Sequence, residues 1–554
     1  MNTATLSRTI ACVAAAAAIG ALGQAHAQDI PAQETSSSQR APRTSGVRID
    51  PYIEASQVLL AELSPGDDVL TYTQLAVGVD TGISGRNSNA SASLRYERRI
   101  GYGNTSDGDT ISGIARASMA LVPRHLTIEA GGLASRARVE GNGATSLGGY
   151  GGNDDATSQI YSLYAGPSVQ TNVDDLLVTG SYRIGYTRVE APDALALAPG
   201  DQPVDIFDDS LSQNAGVRAG FEPGTVLPVG VGVGAGWNQQ DISNLDQRVQ
   251  DRFVRADVTV PVSRNVALVG GVGYEDVEVS SRDAVRDTAG DPVIGPDGRF
   301  ITDKSAPRQI AYETDGLIWD VGVMWRPSRR TSLEAYVGRR YGSSTYYGSF
   351  SYAPNSGTSL NIGVYNNLTG FGGALVDSLA GLPTEFQAFR NPITGDLAGC
   401  VDALEGGNCA LGRLGSLRSS VFRSRGVTAS LARSAGRMSY GVAGGYDRRS
   451  YIAAAGTALS AANGVLDENI WLAAYAGRQL DRNSSLNANA FVNWFDSGFD
   501  STGNGMGYSA SLAYNRDLLS GLSATAAVGL DGVTRDELED LTTASALVGL
   551  RYSF

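Results

Sequence analysis

A period of two constrains this chain more than any other feature. From Tyr52 to Phe554 it runs in segments of about ten residues that alternate apolar with polar or small side chains, with turns between them. Ala90, Ala92, Leu94 and Tyr96 stand against Ser91, Ser93, Arg95 and Glu97. Leu317, Trp319, Val321, Val323 and Trp325 stand against Asp320, Gly322 and Arg326. The same rhythm sets Leu486, Ala488, Ala490, Val492 and Trp494 against Asn487, Asn489, Phe491 and Asn493, and Met506, Tyr508, Ala510, Leu512 and Tyr514 against Ser509, Ser511 and Asn515. Successive side chains of a strand point to opposite faces, so each segment reads as a strand with one apolar face. A soluble sandwich would turn that face inward. A transmembrane antiparallel up-and-down β-barrel turns it outward to lipid and closes on itself, leaving no backbone amide unpaired in hydrocarbon. The strand number and the regular alternation of short and long connections favour the barrel.

The turns give a topology. Short ones fall at Gly85-Arg86-Asn87, Pro123-Arg124-His125, Val173-Asp174-Asp175, Gly224 to Pro228, Ser263-Arg264-Asn265, Pro327 to Arg330, Asn355 to Gly357, Ser434 to Arg437, Asp481-Arg482-Asn483 and Asp517 to Gly521. Barrels of this kind keep short turns in the periplasm and long loops outside. The long ones here are Gly141 to Ser158, Glu190 to Asp209, Asp276 to Arg308, Asn366 to Ser419 and Ala453 to Asp467. The count is about 22 strands, or 18 to 20 if a hairpin is doubled; Gly342 to Thr345 is the least marked hairpin. An even number puts both termini in the periplasm. Tyr102, Tyr186, Tyr274, Tyr341 and Tyr446 at one level, and Trp325, Tyr352 and Tyr514 at the other, are expected to form two interfacial girdles.

Arg8, the alanine-rich run Thr9 to Leu22 and Ala25-His26-Ala27 form a secretory signal peptide over residues 1–27. Residues 28–50 are polar and read as a flexible periplasmic lead-in. The barrel is expected over 51–554. No later run of about 18 apolar residues exists to form a membrane helix.

Composition removes other classes. The net charge is −14 and, of 43 basic residues, only Lys304 is a lysine; an acidic chain without a basic tail is a poor partner for nucleic acid. After signal removal the sole histidine is His125, in a turn. Histidine-based catalysis and multi-histidine metal sites therefore lack residues, and no enzyme activity, cofactor or metal is expected. Cys400 and Cys409 fit a small disulfide-closed loop in an oxidising compartment, with a free thiol pair as the alternative. PVGVGVGAGW, Pro228 to Trp237, resembles a phosphate loop only superficially. The third glycine of the dinucleotide fingerprint is missing, since Ala235 and Trp237 stand where it belongs. It reads as a strand whose Val229, Val231, Val233 and Ala235 face lipid. Its bare glycine face is expected to be crossed by Arg218 from one neighbour and by Phe253 or Arg255 from the other.

Alternation assigns Arg95, Glu97, Glu129, Arg183, Arg218, Arg255, Asp257, Asp320, Glu334, Arg340 and Arg551 to the lumen. Such charges either set ion preference or brace the wall by pairing. Residues 366–419 form a loop far longer than a connection needs, with GGALVDSLAGL able to form a short helix. It is read as folding into the lumen, capping the mouth or lying exposed.

The chain end, ALVGLRYSF, places Ala546, Val548, Leu550, Tyr552 and Phe554 on one face. It resembles the last strand of Gram-negative outer-membrane β-barrel proteins. That resemblance implies Tyr552 and Phe554 as the signal read by the barrel-assembly machinery, with outer-membrane lipid and lipopolysaccharide as surroundings. YYGSFSYAPNSGTSLNIGVYNNLTG, residues 346–370, resembles outer-membrane barrels associated with PEP-CTERM and exopolysaccharide systems, and implies a polysaccharide context. The function expected is a channel, either for porin-like diffusion of small solutes or for polymer export. The alternative is a non-conducting surface-structural or adhesion barrel acting through its loops.

Overall fold

The structure is a computed structural model that describes residues 46–103, 105, 107–139, 145–146, 157–190, 209–296, 298–402, 408–409, 418–498, 504–536 and 539–554. The expected signal peptide and most of the lead-in lie outside these residues. The wall is made of β1 (Gly46–Ser64), β2 (Val69–Ser84), β3 (Ser88–Tyr102), β4 (Gly108–Val122), β5 (Leu126–Val139), β6 (Thr157–Val173), β7 (Leu176–Glu190), β8 (Asp209–Phe221), β9 (Gly230–Ile242), β10 (Gln247–Pro261) and β11 (Val266–Ser281). It continues through β12 (Gln309–Ser328), β13 (Thr331–Arg340), β14 (Ser343–Asn355), β15 (Thr358–Thr369), β16 (Val421–Ala435), β17 (Met438–Ile452), β18 (Leu466–Gln479), β19 (Ser484–Asp496), β20 (Gly505–Leu519), β21 (Leu522–Arg535) and β22 (Leu541–Ser553). Each strand pairs antiparallel with the next, and β22 pairs back onto β1, with Leu60 opposite Ser545, so the sheet has no edge. The 23-stranded sheet is these 22 strands plus the stub Thr145–Ser146 on the end of β5. The wall starts at Gly46, within the segment read as lead-in.

The ten short turns all lie at one end of the ring, together with Gly46 and Phe554. The hairpin least marked in sequence is also present. Tyr341 (φ 53°) and Gly342 (φ 64°) both adopt the left-handed region that a two-residue hairpin between β13 and β14 requires. Its Tyr341 is not a girdle residue. It turns inward, buried, with its hydroxyl donating to Asp251.

Burial is inverted relative to a soluble fold. Leu317, Val321, Val337, Leu472, Val528 and Val548 are exposed, while Ser93, Arg95, Asp257, Glu275, Asp447 and Asn493 are buried. The exposed apolar face runs right round the ring. That is far beyond the few hundred Å² a soluble monomer leaves bare. Every strand has 10 to 20 residues, enough for the 9–11 that a tilted strand needs to cross hydrocarbon. No helix among the described residues is long and apolar enough to cross a membrane. From strand spacing and tilt, a 22-stranded ring is roughly 40 Å across between backbones.

Candidate functional site

The glycine stretch shows how the wall is built. Val233 is exposed on the outer face. On the inner face a Cβ at Gly232 would strike the Arg218 guanidinium, and one at Gly236 would strike the Phe253 ring. Arg218 and Phe253 thus lie across the strip from β8 and β10. Arg255 leans the other way, over Gly271 of β11. Glycine here makes room for large side chains from neighbouring strands.

The eleven residues assigned to the lumen all form ion pairs. Arg95 binds Glu54 (2.9 Å) and Glu97 (3.2 Å). Glu129 pairs with Arg116, Glu334 with Arg326 and Arg551 with Asp80. Arg340 lies 2.8 Å from Asp251 and 3.4 Å from Glu275. Arg218, Asp257, Arg255 and Asp320 form a chain of alternating charge with contacts of 2.7, 3.2 and 2.7 Å. The partners Glu54, Asp80, Arg116, Asp251 and Glu275 lie on the same inward parity of their strands. Arg183 has a different kind of partner, Asp377 at 2.9 Å, which belongs to the long loop.

That loop leaves β15 at Thr369 and returns to β16 at Val421 (neighbouring strands), and its described part packs inside the ring. Its first element is α1, Phe371–Ala380. Phe371, Leu375, Val376, Leu379 and Ala380 line one face of it, an amphipathic spacing. With Leu382 and Leu397 they pack on Ile114, Leu133, Ala137, Ile160, Tyr164 and Val189, the inner faces of β4–β7. Burying the six large apolar side chains among these at about 1.5–3 kcal/mol each makes this docking worth on the order of 10 kcal/mol. Two glycines early in α1 cost helix stability, but contact requires them. A Cβ at Gly372 would overlap Ser210 Oγ, and one at Gly373 would meet Gln240 Oε1 at 2.7 Å. The wall reciprocates at Gly185, where a Cβ would meet Val376.

Beyond α1, the short strand Gln387–Arg390 turns at Asn391–Gly395 and pairs with Leu397–Asp402. Arg390 reaches Ser93 Oγ (3.1 Å) and Ser112 Oγ (2.6 Å) on β3 and β4. Burial lowers its pKa from the ordinary arginine value, but a guanidinium remains charged. Asp396 accepts two hydrogen bonds from Arg136 of β5, at 3.1 and 2.9 Å. Ile393 is buried among Val58, Tyr72, Ala513, Ala527 and Leu547, from β1, β2, β20, β21 and β22. Phe389 packs on Tyr475 of β18, ring centroids 4.4 Å apart. The loop therefore touches the wall from β18 round through β1 to β9. Residues 370–397 thus pack against the inner face of the ring. Cys400 and Cys409 are direct partners in the loop's short sheet, but their side chains, like Arg413, lie outside the described residues.

The other side of the mouth is roofed. Leu245, Ala284, Phe300, Ala453 and Leu459 form one cluster from three loops. Asp283 accepts from Arg286 (2.8 Å) and from the Ala458 amide (2.8 Å), joining the loop 282–308 to the loop 453–465. Beneath this roof the wall is less filled. Arg218 and Arg255 keep 20% and 19% side-chain exposure, against 5% for Arg95 and 7% for Arg116 and Arg183 under the loop, while their partners Asp257 and Asp320 are held at 3% and 10%. The accessible lumen thus lies along β8–β12 and toward the short-turn end. His125 sits exposed between β4 and β5, its Nδ1 3.2 Å from the Gln170 carbonyl oxygen. No group of three or more metal-ligating side chains occurs among the described residues.

No protein-family model matches the chain, and a search of curated proteins finds no match. Among solved structures it is similar to the FrpB iron transporter from Neisseria meningitidis (F3-3 variant), with 10% identity, a TM-score of 0.43, and 91% of this chain and 81% of that one covered. The ferric-catecholate import receptor Fiu from K12 E. coli gives 10% identity and a TM-score of 0.42 over 91% and 82% of the two chains. The siderophore receptor PiuA from Acinetobacter baumannii gives 8% and 0.39 over 91% and 82%. At such identities and scores the likeness carries no substrate.

Proposed function

We propose that the chain is a Gram-negative outer-membrane channel held closed by its own loops. The apolar belt supports insertion in a bilayer, with the short turns and both termini in the periplasm and Tyr552 and Phe554 serving assembly. The single observation that carries the channel reading is the passage of residues 370–397 through a lumen too wide for them to fill. An α-helix is about 10–12 Å thick with its side chains, and the accessible charged wall along β8–β12 lies outside its cover. Mixed fixed charges such as the Arg218–Asp257–Arg255–Asp320 chain orient small polar solutes, so these are the cargo proposed. Polymer export, implied by the resemblance of residues 346–370, uses the same path.

Proteoliposome swelling tests the reading. A chain in which residues 371–419 are replaced by a short hairpin should admit small sugars and amino acids that the intact chain excludes. If that variant forms a heat-modifiable barrel and its liposomes stay tight, the surface-structural reading holds instead.

A further inference from the structure

The two rims of the outer face carry different electrostatics. At the long-loop rim, most outward arginines have carboxylate partners: Arg98 with Asp107 and Asp109, Arg188 with Glu190, Arg248 with Asp241, and Arg448 with Glu468, while the isolated Arg339 has none among the described residues. At the short-turn rim, most strands end their outer face on apolar groups, such as Leu121, Val173, Val262, Trp325 and Tyr352. One sector differs. Arg433 of β16 follows exposed Leu431, Arg478 of β18 follows Leu472 and Ala476, and Arg516 of β20 follows Leu512 and Tyr514. The strand period puts all three on the apolar outer face. All three are exposed, and each lies within three residues of the turn that ends its strand. None has an ion-pair partner among the described residues.

Register places tyrosines among them. Arg433 is opposite Tyr440, and Leu486 separates Arg478 from Tyr514 in one row. Arg437 and Arg482, exposed in the intervening turns, add charge. The acidic groups nearby are Asp481 and Asp517. Asp481 lies close enough to Arg516 to interact electrostatically, but its carboxylate already accepts from Ser484 Oγ and the Asn483 amide, each at 2.7 Å. Five arginines thus face two aspartates. With strands about 4.8 Å apart, arginines on alternate strands stand roughly 10 Å apart along the rim.

We infer that Arg433, Arg478 and Arg516 form a binding surface for anionic phospholipid headgroups of the leaflet at the short-turn end. The inference rests on the membrane reading above. Unpaired guanidiniums just beyond an apolar face, beside tyrosines, sit where lipid phosphates lie. A planar fork suits a phosphate, which accepts two of its N–H bonds at once. Each basic residue near an anionic surface strengthens the preference for anionic lipid about fivefold, so three give on the order of a hundredfold.

The test is native mass spectrometry of the full chain released from nanodiscs of phosphatidylethanolamine doped with phosphatidylglycerol. The intact protein should carry phosphatidylglycerol in excess of its share in the disc. R433Q/R478Q/R516Q should lose that excess while remaining heat-modifiable, and R98Q/R448Q at the other rim should keep it. Equal enrichment in the triple variant and the intact chain would overturn the inference, as would equal loss in both variants. Failure of the intact chain to enter lipid at all would instead remove the membrane reading beneath it.

Discussion

Asp396→Ala should open the channel. Asp396 and Arg136 make a two-bond ion pair at 3.1 and 2.9 Å, with side-chain exposures of 12% and 11%. Removing one member of a buried pair costs about 3–5 kcal/mol, because the other charge is left in a dry site. The low end applies here, since Arg136 also interacts electrostatically with Glu97 of the same wall. About 3 kcal/mol at 1.36 kcal/mol per decade lowers the closed-to-open ratio of the loop roughly a hundredfold. The α1 docking, on the order of 10 kcal/mol, still holds the first half of the loop, so the opening expected is brief and partial. In planar bilayers, the fraction of time spent conducting should rise about a hundredfold over the intact chain. D396A/R136A should give back part of that rise, because it removes the stranded charge too. An open fraction unchanged in D396A would refute the idea that this pair holds the lumen shut, as would a double variant that conducts more than the single.

Val321→Arg, on the exposed face of β12, should destabilise the barrel in vesicles by about 2–4 kcal/mol if it lies near mid-bilayer; urea unfolding measures this, and a neutral result would place Val321 outside lipid. Gly236→Val should cost about 1–3 kcal/mol by displacing the Phe253 ring, read as a lower temperature for loss of the compact band on a denaturing gel. Hydrogen bonds should make the roof acid-labile. Burial works against the Asp283 carboxylate, but the bonds from Arg286 and the Ala458 amide hold its pKa below the usual value. Its contribution is therefore full above the unfolded pKa of about 3.9 and lost as pH falls through the lower folded value. Protection of 282–308 against hydrogen exchange, relative to the intrinsic rate at each pH, should be flat from about pH 7 to 5 and fall only in stronger acid. Cys400 and Cys409, opposed in register, should react with maleimide only after reduction.

The wall was legible because its physics is local. Each strand's period states which side of Arg95 or Leu317 faces lipid, and most short turns carry a Gly, Asn or Asp, while Pro123-Arg124-His125 and Pro327 to Arg330 carry a proline instead. That Arg218 and either Phe253 or Arg255 lean over the glycine face follows from that period; that it is Phe253, with Arg255 over Gly271 instead, is set by packing. The direction of the loop does not follow from the period, because α1 is placed by a surface drawn from four separate strands. Ile114, Leu133, Ile160 and Val189 are apolar on the face that should be polar. That local loss of alternation is the one signal that could have marked the docking site. Tyr341 misled for the same reason. Its place at a strand end fits a girdle, but its hydroxyl is claimed by Asp251 from three strands away.

Single-channel conductance in a planar bilayer tests the central claim most directly, comparing the intact chain with one lacking residues 371–419. A closed channel predicts rare, small openings for the intact chain and a stable, several-fold larger conductance for the shortened one. Identical, negligible currents from both, with the shortened chain still a heat-modifiable barrel, would contradict it.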